Sequence, residues 1–311
     1  MISDRVLGVY AAVAALPVEV QVEHYRQVAR QWKLTTFEIP LFGGVPLAEP
    51  LAELFQEISA SLVVTLVAQW ATKGQEQINY GLGSTDECAR RQALLDAQSV
   101  IQQCLQLQQS GIDVVGLEVH VGQRCGGTAG HAVSLHRSLL ELRGVLSQVL
   151  PFCRLGVEIT DSLPADHATT FPAAKKAALT TAELVDVVAA ANSGRESPVG
   201  VIVNWGRLLI NGDEPLRLVE ELSSASSATP LAGVILSGAE ATENGFADAH
   251  NSHLDPKSGF SLRDAEACAQ LLSGSAQPTF IGMKCSGKRA GASELKPEEV
   301  LAAQAEFLAD C

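Results

Sequence analysis

The segment VGVIVNWGRLLINGDEPLRLVEELSSASSATPLAGVILSG, residues 199–238, decides the fold class of this chain. It begins and ends with short apolar runs, VGVIVNW at 199–205 and AGVILSG at 232–238, and has a helical pattern near 214–223 between them. Runs rich in valine and isoleucine are typical of buried strands, and apolar spacings of three and four indicate a helix. The segment is therefore predicted to be a strand–helix–strand unit.

The same unit recurs from one end of the chain to the other. Further strands are predicted at 6–10, 35–42, 62–69, 113–121, 154–160 and 278–284, and further helices near 18–32, 48–59, 86–109, 131–149, 180–192, 262–273 and 297–309. Eight such units with right-handed crossovers close most simply into a (β/α)8 barrel, which we predict as a single domain over residues 1–311. An open doubly wound sheet is the alternative, but no G-x-G-x-x-G motif follows the first strand.

Composition and charge narrow the classes of partner. The 311 residues carry a formal net charge of -13, with 35 acidic against 22 basic residues, which argues against nucleic-acid binding. No run of about 18 apolar residues predicts a membrane span. Seven scattered cysteines without Cys-x-x-Cys spacing indicate reduced thiols, and hence a cytoplasmic location. A small-molecule ligand fits this balance, and homo-oligomer formation stays open.

Polar residues within the apolar strands mark the face that looks into the barrel. In a (β/α)8 barrel, strand residues alternate between the lumen and the helix layer, and chemistry occurs at the C-terminal ends of the strands. On this rule Glu118 and His120 share the inner face of the fourth strand, Glu158 lies on the fifth and Lys284 on the eighth. The same phase selects Tyr10, Glu38, Gln69, Asn204 and Ser237 on the other strands.

Glu158 and Lys284 are the predicted catalytic residues. Each interrupts an apolar strand, and a charge buried without a partner there would cost several kcal/mol. We expect Glu118, Glu158, Asn204 and Lys284 to share one solvent-accessible pocket. Arg207, three residues after Asn204, either clamps an anionic group or caps a helix.

Two loops add candidates at the mouth. The segment HNSHLD at 250–255 brings His250 and His253, which we interpret as lining the substrate pocket, with metal ligation as the alternative. The segment SGKRAG at 286–291 follows the eighth strand, where barrels often bind phosphate through backbone amides. An ordinary turn is the alternative for this second loop.

The order of elements resembles the xylose-isomerase-like superfamily of sugar isomerases and epimerases over nearly the whole chain. The most specific parts are the RRQALLDAQSVIQQCLQL helix before the fourth strand, the GVEIT strand with Glu158, and the VNWGR segment. The resemblance implies a carbohydrate or sugar-phosphate substrate and, in its metal-dependent members, a divalent ion held by carboxylates and a histidine at the ends of the later strands. Its endonuclease branch implies a histidine-rich trinuclear site, which this chain lacks.

Glu158 matches the glutamate of the fifth strand in this superfamily, but the remaining positions differ. Asn204 stands where an aspartate is usual, Arg207 where a histidine commonly follows, Ser237 where a histidine or aspartate is expected, and Lys284 in place of the last glutamate. Because an ammonium repels a divalent ion, we predict that no ion occupies the usual position between the fifth and eighth strands. A cation nearer the fourth strand, with His120, is the alternative.

The leading functional hypothesis is a sugar or sugar-phosphate isomerase or epimerase that moves a proton next to a carbonyl. Glu158 would be the base, and Lys284 would supply the positive charge beside the developing enediolate. The alternatives are a retaining glycoside hydrolase using Glu118 and Glu240, a lyase or aldolase using Lys284 as a Schiff-base amine, and a non-catalytic sugar-binding barrel.

Overall fold

Eight parallel strands close into a single barrel. The structure is a computed structural model that describes residues 2–77, 79–122, 128–162, 179–193, 198–224, 229–243, 245–275, 279–287 and 294–311. The barrel strands are β1 (Ile2–Leu7), β2 (Thr36–Pro40), β3 (Ser61–Thr65), β4 (Asp113–Val119), β5 (Arg154–Glu158), β6 (Val199–Asn204), β7 (Leu231–Leu236) and β10 (Thr279–Met283). Their order around the barrel is β1-β10-β7-β6-β5-β4-β3-β2. The predicted (β/α)8 barrel is confirmed, and the open sheet is excluded.

Helices surround the barrel between the strands. They are α1 (Tyr10–Val13), α2 (Val18–Trp32), α3 (Glu49–Glu57), α4 (Val67–Glu76), α5 (Glu87–Gln109), α6 (Thr128–Val149), α7 (Thr181–Asn192), α8 (Trp205–Asn211), α9 (Pro215–Ser223), α10 (Leu262–Ser273) and α11 (Pro297–Asp310). Capping boxes at Thr180 and Ser261 satisfy backbone N–H groups at the starts of α7 and α10. None of these described helices combines the length and hydropathy that a membrane crossing requires.

The third strand is shorter than the sequence predicts. Residues 62–69 were expected to be one strand, but β3 ends at Thr65 and α4 begins at Val67. The buried residues Leu66, Trp70 and Gly74 are spaced by four, which is a helical period, so the apolar run divides into a strand end and a helix start. Gln69 consequently lies in a helix.

A β-hairpin replaces the loop expected after the seventh strand. Strands β8 (Gly238–Thr242) and β9 (Gly245–Asn251) pair antiparallel, outside the barrel, before α10. Asn251 also bridges to Ser286, three residues after the last barrel strand, so β9 is attached to the rim of the mouth. The hairpin therefore brings side chains from outside the barrel to the C-terminal mouth.

The lower part of the barrel is filled by apolar side chains. Val6, Val63, Ile202, Ala232, Ile235 and Phe280 form a small core inside the barrel, separate from the larger core between strands and helices. Glycines make room for the largest of them: a Cβ on Gly233 would lie 2.2 Å from the Phe280 ring, and one on Gly156 would lie 2.4 Å from Ile202. Because this apolar core fills the lower part of the barrel, the polar groups lie at the C-terminal ends of the strands.

Candidate active site

A buried lysine lies at the floor of the C-terminal mouth. Lys284 directly follows β10, and its Nζ lies 2.9 Å from Oε1 of Glu38, 3.6 Å from Oε1 of Glu158 and 4.0 Å from Oε1 of Glu118. Burial by itself would lower the pKa of Lys284, but the carboxylates, Glu158 and Glu38 first, raise it well above its usual range. Lys284 is therefore an ammonium at neutral pH. These four residues are called the Lys284 cluster below.

Glu158, the last residue of β5, is the ionised carboxylate of this cluster. It accepts hydrogen bonds from Nδ2 of Asn204 at 2.5 Å and contacts Nε2 of His120 at 2.5 Å. Trp70 stacks on the His120 ring with a centroid separation of 6.1 Å, which fixes the ring plane. Burial alone would raise the pKa of Glu158, but the Lys284 ammonium and the His120 contact outweigh it, and the pKa lies well below its ordinary value. Glu158 is thus a deprotonated base.

Glu118 lies beside Glu158, and its pKa is shifted in the opposite direction. It is fully buried, and its pKa is raised well above the ordinary value by burial and then by the Glu158 and Glu38 carboxylates. Thr65 donates a hydrogen bond to Oε1 of Glu118 at 2.7 Å. Its Oε2 meets no hydrogen-bond partner among the described residues. The neighbouring Glu118 carboxyl also lowers the pKa of Glu158.

Tyr10 lines the opposite side of the cluster. Its hydroxyl donates to Oε1 of Glu38 at 2.8 Å, the same oxygen that accepts from Lys284. Burial and then the Glu38 carboxylate raise the pKa of Tyr10 well above its usual value, so the hydroxyl keeps its proton at neutral pH. Tyr10 was predicted at a strand end, but β1 ends at Leu7, and the residue instead opens the short helix α1.

A second buried cation forms the rim of the mouth. Nη1 of Arg207 lies 2.9 Å from Oδ1 of Asp161 and 2.8 Å from Oδ1 of Asp248, and its other terminal nitrogen lies 3.0 Å from Nε2 of His250. Burial would lower the pKa of Arg207, but the two aspartates raise it above its ordinary value. We call these four residues the Arg207 cluster. It ties the hairpin, through Asp248 and His250, to the barrel.

His250 is held in an uncommon backbone conformation. Its φ is 54°, in the left-handed region that non-glycine residues rarely occupy. Its Nδ1 lies 2.6 Å from Oγ of Ser237, which follows β7, and its carbonyl accepts from the backbone N–H of Ser286 at 2.7 Å. These contacts compensate the backbone cost, and together they direct the imidazole toward the mouth.

A pocket of about 210 Å³ opens above the two clusters. It is lined by Tyr10, Ala11, Val67, Glu158, Thr160, Arg207, Ala249, His250, Lys284 and Ser286. Pockets for drug-sized ligands start at roughly 300 Å³, so this one suits a smaller, polar molecule. A larger cavity, about 630 Å³ between α10 and α11, contains none of the residues of either cluster.

The structure brings most of the predicted site residues together. Glu158 and Lys284 line the pocket itself with Tyr10, Arg207 and His250. Glu118, Asn204, Glu38 and His120 are buried beside or beneath them and contact the lining residues. Of the four residues expected to share the pocket, Glu158 and Lys284 line it. The other two, Glu118 and Asn204, lie beneath the lining and support Glu158.

Three predicted residues lie elsewhere. Gln69, on α4, donates to Oη of Tyr80 at 3.0 Å and accepts from the backbone N–H of Gly43. His253 packs edge-on against Phe260 and borders the cavity near α10. Glu240 lies in the middle of β8, opposite Ala247, whereas the hairpin residues that reach the pocket are Ala249 and His250. Gln69 lies on a helix where a strand end is predicted, and Glu240 lies on a hairpin strand where a loop is predicted. His253 keeps its predicted loop, but that loop faces the other cavity.

Two aspartates of the Arg207 cluster were absent from the sequence-based candidates. Asp161 comes directly after GVEIT, so the rule that functional residues follow barrel strands was sufficient to select it. Asp248 lies in the middle of β9, far in sequence from the barrel strands on either side of the hairpin, and it reaches Arg207 only because β9 folds back over the mouth. No local sequence signal identifies that contact. Of the phosphate-loop prediction, residues 288–291 lie outside the described residues.

The divalent ion implied by the superfamily does not fit the residues at its usual position. The Asn204 side chain donates a hydrogen bond to Glu158 and accepts one from the backbone N–H of Arg207. Ser237 forms a hydrogen bond with His250. Lys284 places an ammonium where the last carboxylate would be. Donor atoms of Glu118, His120 and Glu158 do lie within 4.8 Å of one another. An ion there would face the Lys284 ammonium and displace the contact between His120 and Glu158. That the protein works without an ion remains a prediction.

The fold and the mouth define a (β/α)8 barrel with a buried acid–base cluster at the C-terminal ends of its strands. The chain belongs to the family described as a domain of unknown function, DUF4862, whose model matches residues 6–294. No curated protein matches the sequence.

Solved structures of low sequence identity share this fold. A D-tagatose 3-epimerase-like protein superimposes with a TM-score of 0.64 at 14% identity, over 99% of both chains. A putative xylose isomerase from Rhodospirillum rubrum gives 0.63 at 13% identity, over 100% of this chain and 99% of its own. A family 2 AP endonuclease from Brucella melitensis gives 0.62 at 13% identity, over 98% of this chain and 99% of its own. The resemblance to the xylose-isomerase-like superfamily is confirmed for the fold, and the fold alone does not choose among these activities.

Proposed function

We propose that this protein is a sugar isomerase or epimerase in which Glu158 removes a proton next to a carbonyl group and Lys284 stabilises the enediolate. The observation that carries the proposal is the pair of Glu158 and Lys284, 3.6 Å apart at the floor of the pocket, with the carboxylate deprotonated and the amine charged. Carbon-acid chemistry at neutral pH needs both a base and a positive group. The epimerase and isomerase among the structures of the same fold agree with this reaction class.

The residues around Glu158 support its role as the base. Asn204 and His120 orient the carboxylate, and the neighbouring Glu118 carboxyl contributes to its lowered pKa. A carboxylate held by fixed donors needs no reorganisation when the proton is transferred. Lys284 lies between Glu158 and Glu38, so an oxygen of the substrate that replaces part of the Glu158 contact would meet an ammonium that is already in position.

The charges of the lining residues favour a neutral sugar over a sugar phosphate. Lys284 is balanced by Glu38 and Glu158, and Arg207 by Asp161 and Asp248. Among the described residues of the pocket, both cations are therefore already neutralised by carboxylates. A phosphate dianion would be repelled by these four carboxylates. The sugar ring hydroxyls, by contrast, can bond to Tyr10, Thr160, His250 and Ser286.

The same geometry gives less support to the other hypotheses. A Schiff base requires a neutral amine, and the carboxylates hold Lys284 in its charged form. A retaining glycosidase requires two carboxylates about 5–5.5 Å apart on either side of one bond. Glu118 is sealed beneath Glu158 and Glu240 lies on β8, outside the pocket lining.

The test is proton exchange in D₂O, followed by ¹H NMR, with a panel of pentoses and hexoses as aldoses and ketoses and with their phosphate esters. We expect deuterium at the carbon next to the carbonyl of at least one neutral sugar. Glu158→Gln should slow this exchange by about 10²–10⁴-fold, the usual contribution of a general base. Glu240→Gln, the same change at the rim hairpin, should leave the rate unchanged.

Three results would contradict the proposal. Exchange in none of these sugars, with binding of one of them detected calorimetrically, would indicate a non-catalytic binding barrel. Release of free sugar from a glycoside, lost in Glu240→Gln, would favour glycoside hydrolysis. Stoichiometric metal in the purified protein, lost on Glu158→Gln, would show that an ion rather than Lys284 supplies the positive charge.

A further inference from the structure

The closed barrel places Tyr10 and Glu158 on opposite walls of the pocket. In the order β1-β10-β7-β6-β5-β4-β3-β2, strands β1 and β5 are four positions apart in either direction around the ring. Glu158 is the last residue of β5, and Tyr10 comes three residues after the end of β1. Both side chains line the same pocket of about 210 Å³. A small sugar in this pocket would therefore present one face to Glu158 and the other to Tyr10.

The Tyr10 hydroxyl is held in place for proton transfer. It donates to Oε1 of Glu38, and that oxygen is also 2.9 Å from Nζ of Lys284. Glu38 is buried, whereas Tyr10 is only partly buried, so the ring reaches the pocket while its hydroxyl is fixed from below. If Tyr10 loses its proton, the Lys284 ammonium next to it stabilises the phenolate.

We propose that Tyr10 is a second catalytic residue, which delivers a proton to the face of the substrate opposite Glu158, and that the reaction is therefore an epimerisation. This inference rests on the proposed function and specifies its reaction class. An isomerase that returns one proton to the neighbouring carbon on the same face needs Glu158 alone. Inversion of a carbon centre needs a proton donor on the far side.

The proposed step balances without any redox partner. Glu158 takes the proton from the carbon next to the carbonyl, and the electrons of that C–H bond form the enediolate, whose oxygen faces Lys284. The O–H bond of Tyr10 then breaks, a C–H bond forms on the opposite face of the same carbon, and a phenolate remains beside Lys284. Water at the mouth removes the proton from Glu158 and restores the one on Tyr10. The product differs from the substrate in configuration at that carbon.

Tyr10→Phe separates this role from a structural one. In D₂O, with D-tagatose, D-fructose and the other ketoses of the panel, the native protein should form the epimer with deuterium at the inverted carbon. Tyr10→Phe should still exchange deuterium into the recovered starting sugar through Glu158, while epimer formation falls by about 100-fold or more. The control is Tyr80→Phe, which removes a buried hydroxyl that donates to Asp96 at 2.8 Å, away from the pocket, and should change neither rate.

A second variant covers the case in which Tyr10→Phe does not fold. Glu38→Gln keeps the tyrosine and removes the carboxylate that orients it, and should reduce epimer formation more than exchange into the starting sugar. Equal losses of exchange and inversion in both variants, or inversion at the native rate in Tyr10→Phe, would overturn the role of Tyr10. Absence of exchange by the native protein with every sugar would instead overturn the proposed function itself.

Discussion

The Lys284 cluster and the Arg207 cluster each enclose a buried cation among carboxylates, yet they are built differently. The Lys284 cluster comes from barrel strands: Glu38 on β2, Glu118 on β4, Glu158 on β5, and Lys284 directly after β10. The Arg207 cluster combines the short helix α8, the residue Asp161 beyond β5, and the hairpin residues Asp248 and His250. One set is fixed by the barrel itself, and the other joins separate elements across its rim.

The two cations consequently have different freedom. Lys284 faces three glutamates on strands that are paired on both sides, so the barrel itself holds the cation and the carboxylates in contact. Arg207 is paired with two aspartates, and Asp248 is partly exposed on a hairpin outside the barrel. From this comparison we infer that the Lys284 cluster determines the reaction chemistry, whereas the Arg207 cluster determines the shape of the pocket entrance. Three substitutions test this difference.

The largest effect is expected for Lys284→Met. The change leaves Glu38 and Glu158 buried without their cation, and breaking a buried ion pair from one side costs about 3–5 kcal/mol. Urea unfolding at pH 7 should show this loss. At pH 5 the loss should be smaller, because the pKa of Glu158 rises once its cation is removed, and protonation then removes a buried charge.

The matched control for this prediction is Lys73→Met on α4, where the lysine is half exposed and its Nζ lies 3.4 Å from Glu76. We expect a change within about 0.5 kcal/mol there. An equal loss for Lys284→Met at pH 5 and pH 7 would attribute the effect to packing and not to charge.

A smaller effect of opposite sign is expected for Glu118→Gln. The folded state raises the pKa of Glu118, so this group favours folding at pH below its unfolded pKa and costs stability as pH rises above it. Glutamine has the shape of the protonated acid and can still accept from Thr65 and donate to Glu158. The variant should be more stable than the native protein at pH 7, and the gain should vanish near pH 4.

Denaturant unfolding over pH 4–8 measures this pH dependence. Glu240→Gln, on the partly exposed hairpin, serves as the comparison and should show no such trend. If Glu118→Gln were less stable than the native protein at pH 7, Glu118 would have to be ionised in the folded state, and the assignment of Glu118 as the acid and Glu158 as the base would be wrong.

The smallest effect is expected for Asp248→Asn. Arg207 keeps its contact with Asp161, and a partly exposed ion pair contributes only about 0.2–1 kcal/mol. Amide hydrogen exchange in β8 and β9 should accelerate about two- to fivefold, in line with that energy, while global unfolding stays unchanged. A change in exchange that spread to the barrel strands would contradict the view that the Arg207 cluster acts only on the entrance.

Apolar and polar residues alternate along each strand, and this alternation made the barrel predictable. It also made predictable which residues of the Lys284 cluster point into the barrel. Glu118, Glu158 and Lys284 occupy the predicted phase because a strand that buries Leu117, Val157 and Ile281 toward the helices must turn its other face inward. Element ends were less predictable. The run at 62–69 is apolar throughout, so the pattern alone did not reveal that β3 stops at Thr65 and that Gln69 turns away on α4.

The sequence by itself determined the fold class and the residues of the barrel floor, because these depend on periodicity and residue type. Only the tertiary structure decided which residues touch: that Glu38 shares Lys284 with Glu158, that Tyr10 stands opposite Glu158, and that Asp248 and His250 reach Arg207. The protonation states followed from those contacts. A pKa depends on burial and on charges within a few ångströms, and closure of the ring brings together residues up to 246 positions apart.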